Sequence, residues 1–472
     1  MLTESVISNI NLGSKIHKNY KNAILNEFLE KNKDLAPQGS VEWLADRRFN
    51  IGGSEMSTIT GDNCYCKLDQ LVAQKTGFFS FSGNIATRWG KLFEFVTQIL
   101  TSKILDIDEI KETGSINGSV PNQKYSPDGL AVIKLICNDN LISDVETTEY
   151  CIVLFEFKSP LYSIPSGFIP KHYLPQVKTG LCSIPITDFA IFINNMFRKC
   201  AFEDLDSSGK YDTEFHNRDE KHNLDNLESL AFGMILFYQT QTQKKLFYEK
   251  YKDSIYICES NTNSNSKYKT EEKTKDVEDS ETDDSSDDSL DIFNNIMNEN
   301  TTQKPYVDSN SFYNHIYNNT NPIDFGKSNY RTFNDILQLF DDKLVSVKYC
   351  EPHILKEYNN NEFLKAQLKN KGNNDYTNTI EKYKEIITTE NDEKIIGYLP
   401  WKLIRSDIIY EPRDAQYVKQ YENDIQNTIS IIKKINGCNS ESDKINMFKD
   451  FFPKSKIIKD DEDLSIYLPK NI

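Results

Sequence analysis

The sequence predicts a mixed α/β fold, and three observations support that prediction. Segments with helical spacing fill the chain up to Leu105, β-rich runs follow in its middle, and helix alternates with strand after them. Hydrophobic residues make up 38% of the 472 residues, which excludes a wholly disordered protein but leaves room for one unfolded segment. The longest apolar run, Leu230–Tyr238, is far shorter than the roughly 20 residues that span a bilayer, so no membrane helix is expected.

Five N-terminal segments carry apolar residues at helical spacing. They are Lys15–Lys31, Val41–Arg48, a segment that begins at Ser54, Leu68–Thr76 and Ala86–Leu105. Gly77 directly after the fourth is the residue most often found just past a helix end. In the fifth, Trp89, Phe93, Val96 and Leu100 share one side, which predicts a helix packed against a core.

The middle of the chain predicts strands. Leu130–Cys137 and Cys151–Phe157 are β-rich runs joined by a polar stretch, so a hairpin is expected. A helix around Lys171–Cys182 precedes a strand at Phe189–Asn194, and Asn223–Lys252 is predicted to be a long helical stretch.

Composition changes after residue 258. Between Glu271 and Asp291 eleven Asp and Glu face two Lys, a net charge of −9, which leaves −7 for the rest of a chain whose total is −16. Such a segment cannot bury enough apolar surface to offset its ordering entropy. We therefore predict a folded core over residues 1–258, a disordered acidic insert over 259–329, and a C-terminal part over 330–472. In that last part, a strand (Ile395–Ile409) and helices are expected to dock on the core.

Cysteine usage and the N-terminal residues indicate the cellular compartment in which the protein is expected. The nine cysteines are scattered without a CxxC pair, which favours free thiols in a reducing, intracellular environment. Met1–Tyr20 lacks a basic stretch followed by an apolar core, so no secretion signal is expected.

Three charged residues around the predicted hairpin are of the types that form a cation-binding catalytic site. Asp128 lies in the turn Ser126-Pro127-Asp128-Gly129, and Glu156 and Lys158 are two positions apart on the next strand, so they share a face. If the strands pair, both carboxylates reach one end of the sheet, where they can bind a hard divalent cation beside an ammonium group. The alternative is an ordinary strand that ends in a Glu–Lys pair.

Six short motifs extend this pattern in order. They are Trp43-Leu44-Ala45-Asp46-Arg47, Ile51-Gly52-Gly53-Ser54-Glu55, Trp89-Gly90-Lys91-Leu92-Phe93-Glu94, Ser126-Pro127-Asp128-Gly129, Glu156-Phe157-Lys158 and Tyr173-Leu174-Pro175-Gln176-Val177. With them the chain resembles the lambda-exonuclease / YqaJ-type viral recombinase family of PD-(D/E)XK nucleases over about residues 41–195. The resemblance implies a restriction-endonuclease-like core, with a central mixed β-sheet flanked by helices, to which the acidic insert and the C-terminal extension are added.

The resemblance also implies site residues. Metal ligands would be the carboxylates of Glu94, Asp128 and Glu156 and the carbonyl of Phe157, and Lys158 would assist the attacking water or stabilise the developing charge. The cofactor would be Mg²⁺, with Mn²⁺ as a substitute. The positions that hold a terminal 5′-phosphate are matched by Arg47, Ser54, Ser126 and Gln176. Two departures stand out: Lys178 replaces a second glutamine and would contact backbone phosphate instead, and Pro175 is unexpected inside a helix.

The implied activity is that of a Mg²⁺-dependent exonuclease acting on the 5′ ends of double-stranded DNA in recombination, repair or genome processing. Two alternatives stay open: an endonuclease or nickase with the same metal site, and a catalytically idle DNA-binding protein of the same fold. Implied partners are DNA ends, a single-strand annealing protein and further copies of the chain in a ring. A viral member would act in the host cytoplasm or a viral factory, or be packaged in the virion.

Aromatic residues near the last motifs have no assigned role. His172 would either contact DNA or sit in a loop without function, and Tyr162 and Phe168 could stack on an unpaired base or simply pack.

Overall fold

A computed structural model describes residues 4–78, 83–138, 146–207, 209–212, 227–255, 309–318, 321–356, 358, 375–388 and 394–457. The helices in these ranges are Glu4–Lys31 (α1), Val41–Arg47 (α2), Met56–Ile59 (α3), Leu68–Thr76 (α4), Ile85–Ile104 (α5), Leu174–Ser183 (α6), Gln241–Tyr251 (α7), Ser309–Asn318 (α8), Tyr330–Asp341 (α9), Thr377–Thr388 (α10), Glu422–Asn436 (α11) and Glu441–Phe451 (α12). The strands are Ile51–Gly52 (β1), Ile116–Asn117 (β2), Gln123–Tyr125 (β3), Gly129–Asn138 (β4), Glu146–Lys158 (β5), Phe189–Lys199 (β6), Ala231–Gln239 (β7), Ile323–Asp324 (β8), Ser346–Tyr349 (β9), His353–Ile354 (β10) and Lys394–Pro412 (β11).

The main sheet is mixed, as the sequence predicts. Its order is β10-β7-β11-β6-β5-β4, with β8 paired to β11 and β9 to β7. Strands β4 and β5 are antiparallel, which confirms the predicted hairpin, and β5 runs parallel to β6. The C-terminal strand β11 lies between β6 and β7 and pairs with both, so a segment far along the chain occupies the middle of the sheet.

Helices cover both faces of this sheet. Alternate residues of β5 enter different cores: Val153 and Phe155 pack with α5, whereas Leu154 packs with Leu25 of α1 and Val177 of α6. The architecture is therefore an α/β/α sandwich, which agrees with the predicted fold class and with a nuclease-like core. None of the helices described is long and apolar enough to cross a membrane.

A second, small sheet positions the N-terminal motifs. Strand β1 pairs in parallel with β3, and β3 pairs with β2. The register places Ile51 opposite Gln123 and Gly52 opposite Lys124. As a result, the glycine pair of the second motif lies beside the turn that leads to Asp128.

Two predictions need correction. Asn223–Lys252 is not one helical stretch, because Ala231–Gln239 is strand β7 and the α-helix among its described residues is Gln241–Tyr251. The strand is buried along nearly its whole length in the interior of the sheet, and such a strand has a continuous apolar run without the period of two.

The expected disorder is also wrong for the end of the insert. Residues 309–318 form α8, whose Phe312 and Ile316 lie one turn apart and are both buried, and Ile323–Asp324 pairs with β11. This apolar pair gives the segment enough burial to join the core. The acidic part, 259–308, lies outside the described residues, so the boundary at residue 258 stays a prediction.

Candidate active site

Strand pairing brings Asp128 and Glu156 to the same end of the sheet. Gly129 pairs with Phe155, so Asp128 lies level with the end of β5. One carboxylate oxygen of Asp128 accepts a hydrogen bond of 2.9 Å from the backbone N–H of Phe157. This bond fixes the Asp128 side chain against the strand that carries Glu156 and Lys158.

The Lys158 ammonium lies among three of the four predicted metal ligands. Its Nζ contacts the Glu156 carboxylate, is 3.1 Å from the carbonyl oxygen of Phe157 and is 3.7 Å from an oxygen of Asp128. Burial lowers the pKa of Lys158, but the attraction of Glu156 and Asp128 outweighs burial, so its pKa stands above the ordinary value. The lysine therefore stays charged beside Glu156 and Asp128.

Glu156 is fully buried, which is unusual for a carboxylate. It also accepts a hydrogen bond of 2.9 Å from the hydroxyl of Tyr125. Burial, and then the charge of Asp128, raise the pKa of Glu156 to about 8 despite Lys158 and Tyr125. The group is thus poised to take up or release a proton near neutral pH.

Glu94 approaches the same charges from helix α5. It is half-buried, and burial followed by the charge of Asp128 raises its pKa to about 7. Among the residues that the structure describes, no three His, Cys, Asp or Glu side chains are close enough to hold a metal ion as they stand. The donor set is nevertheless suitable in kind, since three carboxylates and a carbonyl are the oxygen ligands that Mg²⁺ prefers.

A second cluster joins the predicted phosphate-binding residues. Arg47 Nη2 is 3.3 Å from Ser54 Oγ, and its guanidinium stacks on the Trp43 ring at 4.5 Å. Trp43 in turn donates a hydrogen bond of 3.0 Å from Nε1 to Ser126 Oγ. Ser54 is exposed, so the cluster opens to solvent. The neighbouring Arg48 instead contacts Asn436 at 2.8 Å, which singles out Arg47.

A partly buried ion-pair network that the sequence did not predict holds Arg47 in place. Glu55 contacts Arg47 and Lys75, each at 2.9 Å. The Lys75 ammonium also donates to the carbonyls of Arg47 and Asn50 at 2.7 and 2.8 Å. Burial raises the pKa of Glu55, but Lys75 and Arg47 outweigh it and keep the pKa below its usual value. Glu55 lies in the motif Ile51-Gly52-Gly53-Ser54-Glu55, whereas no sequence pattern points to Lys75 beyond its place on a helix.

Helix α6 brings Gln176 to the same cluster. The helix begins at Leu174, so Pro175 lies in its first turn, where the missing N–H has no helical partner to lose. The helix thus begins three residues after the predicted start at Lys171. Because Pro175 lies in the first turn, it does not interrupt the helix. A Cβ on Gly53 would be 3.7 Å from Gln176 Cγ, which shows how closely α6 approaches the glycine pair.

Lys178 faces the C-terminal part of the chain. Its Nζ is 3.6 Å from Glu411 and 5.0 Å from the centre of the Tyr417 ring. In this arrangement Lys178 has Glu411 as its acidic partner, and a contact with the DNA backbone would require a phosphate group to replace Glu411.

Tyr125 links the two clusters, and no motif in the sequence indicates this role. The residue directly precedes Ser126, and its hydroxyl bonds Glu156. Its ring lies so close to two glycines that an added Cβ would be 2.4 Å away at Gly53 and 2.5 Å away at Gly180. Those glycines therefore make room for the ring between the Glu156 carboxylate and the candidate phosphate pocket.

Comparison with solved structures finds weak matches. The alkaline exonuclease LHK-Exo from Laribacter hongkongensis aligns with a TM-score of 0.23 and 17% identity, over 33% of this chain and 74% of that one. The same enzyme in complex with dAMP gives a TM-score of 0.23 and 16% identity. No protein-family model matches the chain.

Comparison with curated proteins finds viral relatives. Over 229 residues the chain is 31% identical to a protein of the Malawi tick isolate of African swine fever virus, and the match covers 45% of this chain and 64% of that protein. The same protein from the Vero-adapted Badajoz strain is 30% identical over 226 residues, with the same coverage. The chain thus shares a long segment with a viral protein and spans less than two thirds of its length.

Proposed function

We propose that this chain is a Mg²⁺-dependent deoxyribonuclease that hydrolyses phosphodiester bonds from the 5′ ends of double-stranded DNA. One observation carries the proposal: Asp128, Glu156, the Phe157 carbonyl and the Lys158 ammonium are gathered at one end of the sheet. A solvent-open Arg47–Ser54 cluster, which is suited to a terminal phosphate, is joined to that site through Tyr125.

The carboxylates of Glu94, Asp128 and Glu156 and the Phe157 carbonyl would hold Mg²⁺, or Mn²⁺ in its place. The bound ion would supply Lewis acidity toward the phosphate and lower the pKa of the attacking water. For the ion to enter, the Lys158 ammonium has to leave its present position among the same oxygens. Once displaced, Lys158 can orient the water or stabilise the charge that develops on phosphate.

Recognition of the DNA end would fall to the second cluster. The Arg47 guanidinium offers paired donors to phosphate oxygens, and Ser54, Ser126 and Gln176 offer neutral ones. The stacking on Trp43 and the ion pair with Glu55 hold the guanidinium in a fixed orientation. Binding of a terminal phosphate here would favour cleavage that starts at ends.

The viral relatives support a viral setting, and within it the proposed role is recombination, repair or processing of a viral genome in an infected cell. Such a role includes a single-strand annealing protein as a partner and a ring of several copies around DNA. Both partner proposals predict a measurable complex: co-elution with an annealing protein of the same genome, and an oligomer in light scattering of the full chain.

The proposal is tested by digestion of linear duplex with 5′-phosphate or 5′-hydroxyl ends, in Mg²⁺ and in EDTA. Glu156→Gln removes a proposed ligand, and Glu149→Gln is its control, since Glu149 is an exposed carboxylate on the same strand. We expect digestion only with Mg²⁺, faster digestion from phosphorylated ends, loss of activity in Glu156→Gln and full activity in Glu149→Gln.

Other outcomes would favour the alternatives. Rapid cutting of covalently closed circular DNA indicates an endonuclease or nickase with this metal site. Tight binding of duplex without any Mg²⁺-dependent digestion indicates a catalytically idle DNA-binding protein. Undiminished digestion by Glu156→Gln would contradict the assignment of the site.

A further inference from the structure

An exposed tyrosine stands on a rigid turn near the candidate active site. Tyr65 is 72% exposed, unusually high for a large aromatic side chain. Its backbone is nevertheless fixed: the Asn63 side-chain oxygen accepts hydrogen bonds from the N–H groups of Tyr65 and Cys66 at 2.9 and 3.1 Å. The Asn63 amide donates in turn to Thr58 Oγ1 at 3.0 Å. The turn therefore holds the exposed ring on a fixed backbone, so a ligand that binds the ring would cost little further conformational entropy.

A row of three rings, which begins with this tyrosine, leads to the active-site lysine. The Tyr65 ring meets His172 edge-on, with centroids 5.4 Å apart and planes at 89°. The His172 ring lies 4.1 Å from Tyr173, and the Lys158 ammonium is 5.4 Å from the centre of the Tyr173 ring. Tyr173 also packs on Phe192 of the core, so the row is anchored at its inner end. Tyr65 and His172 form a corner of two perpendicular rings at the edge of the site.

Two lysines lie close to this corner in the sequence. Lys67 and Lys171 are exposed, and each is within two positions of a ring of the corner in sequence. Neither lysine takes part in an ion pair within the described ranges. A flat ring with cations beside it fits a nucleotide, because a base can stack on the ring while the lysines attract its phosphates.

We propose that Tyr65, held by His172, is a stacking platform for an unpaired base of the DNA strand next to the bond that is cut. The inference rests on the proposed nuclease function and adds a base-binding subsite to it. Stacking on a ring tolerates every base, which suits an enzyme that must digest any sequence. It also stabilises a separated base at the outer end of the row of rings that leads to Lys158, where the strand would approach the proposed metal site.

The test uses the full chain in EDTA, which blocks metal-dependent hydrolysis. The probe is a duplex with 2-aminopurine at one of its first three 5′ nucleotides, opposite mismatches, so that stacking is seen as fluorescence quenching. We expect quenching at one position, loss of quenching and roughly tenfold weaker binding in Tyr65→Ala, and retention of both in Tyr65→Phe. His172→Ala should weaken the quenching partly, since Tyr65 then loses its neighbour.

Tyr20→Ala is the matched control, because Tyr20 is 62% exposed on α1. Its helix packs beside the middle of β5, where Asp188 accepts a hydrogen bond from the backbone N–H of Ile152 and forms an ion pair with Lys21. The subsite alone would be overturned if the unmodified chain digests DNA with Mg²⁺ and Tyr65→Ala shows the same quenching and affinity as that chain. Absence of both DNA binding and digestion in the unmodified chain would overturn the proposed function and the subsite with it.

Discussion

The hydroxyl of Tyr125 donates a hydrogen bond of 2.9 Å to the buried carboxylate of Glu156. Burial, followed by the charges of Glu156 and Asp128, raises the pKa of Tyr125 well above its ordinary value, so the hydroxyl remains a donor at any working pH. The ring is confined by the backbone of Gly53 and Gly180. Tyr125 therefore acts as a positioning residue that fixes Glu156 relative to the candidate phosphate pocket.

Tyr125→Phe removes only this hydroxyl. A hydrogen bond to a charged group contributes about 1.5–3 kcal/mol, so we expect kcat to fall roughly ten- to a hundredfold. The hydrogen bond from Tyr125 lowers the pKa of Glu156, so its loss should raise that pKa further. The midpoint of the pH–rate profile should therefore move to higher pH, and KM for DNA should change little.

Tyr383→Phe is the control for this change. Tyr383 is also buried, and its hydroxyl donates to the carbonyl of Glu351. Its removal takes away the same atom and should leave the pH–rate profile unchanged. A profile that stays fixed in Tyr125→Phe as well would show that the tyrosine does not act through Glu156.

Metal binding should release protons. Burial and the charge of Asp128 raise the pKa of Glu94 to about 7 and that of Glu156 to about 8, so both are largely protonated at pH 6.5. A cation that binds their ionised forms must displace these protons, so Mg²⁺ affinity and digestion should rise with pH up to about 8 and then level off. Titration calorimetry at pH 6.5 in buffers of different ionisation enthalpy should detect roughly one to two protons released per ion.

The same titration at pH 9 provides the comparison. Both carboxyls are then mostly ionised, so proton release should become small. If proton release were equal at the two pH values, or if Mg²⁺ affinity fell as pH rises, Glu94 and Glu156 would not be ligands of the ion.

Local patterns made much of the fold predictable. Helix α4 has the bounds that its apolar spacing predicts, and Gly77 after it has a φ of 89°, the left-handed conformation that glycine adopts easily. The hairpin that aligns Asp128 with Glu156 followed from two β-rich runs and a polar connection. These features depend on neighbours in sequence, which is why a single sequence sufficed.

Features that depend on distant contacts were not predictable. Strand β11 was expected as a strand, but its position between β6 and β7 is set by pairing with segments roughly 160 to 220 residues earlier. Tyr125 and Glu156 are 31 residues apart, and their hydrogen bond has no sequence signature. Lys75 has no sequence signal apart from its place on a helix, because only the tertiary fold places the carbonyls of Arg47 and Asn50 around it.

The buried Lys75 should matter for stability. Lys75→Met removes the ammonium of a side chain that is only 5% exposed, so the carbonyls of Arg47 and Asn50 each lose a hydrogen bond and Glu55 loses one of its two cationic partners. We expect the free energy of unfolding to fall by about 3 kcal/mol, measured by urea denaturation. Lys384→Met is the control, since Lys384 forms an exposed ion pair with Glu381, whose loss should change stability by less than about 1 kcal/mol.

Two adjacent arginines allow a sharp test of end recognition. Arg47 contacts Ser54 and stacks on Trp43, whereas Arg48 is exposed and contacts Asn436. Arg47→Ala should lower kcat/KM on 5′-phosphorylated ends roughly ten- to a hundredfold and leave 5′-hydroxyl ends nearly unaffected, because only the phosphate uses the guanidinium. Arg48→Ala removes the same charge one position away and should keep the preference for phosphorylated ends. If both variants lose activity equally on the two kinds of end, Arg47 contributes general attraction to DNA and the terminal phosphate is held elsewhere.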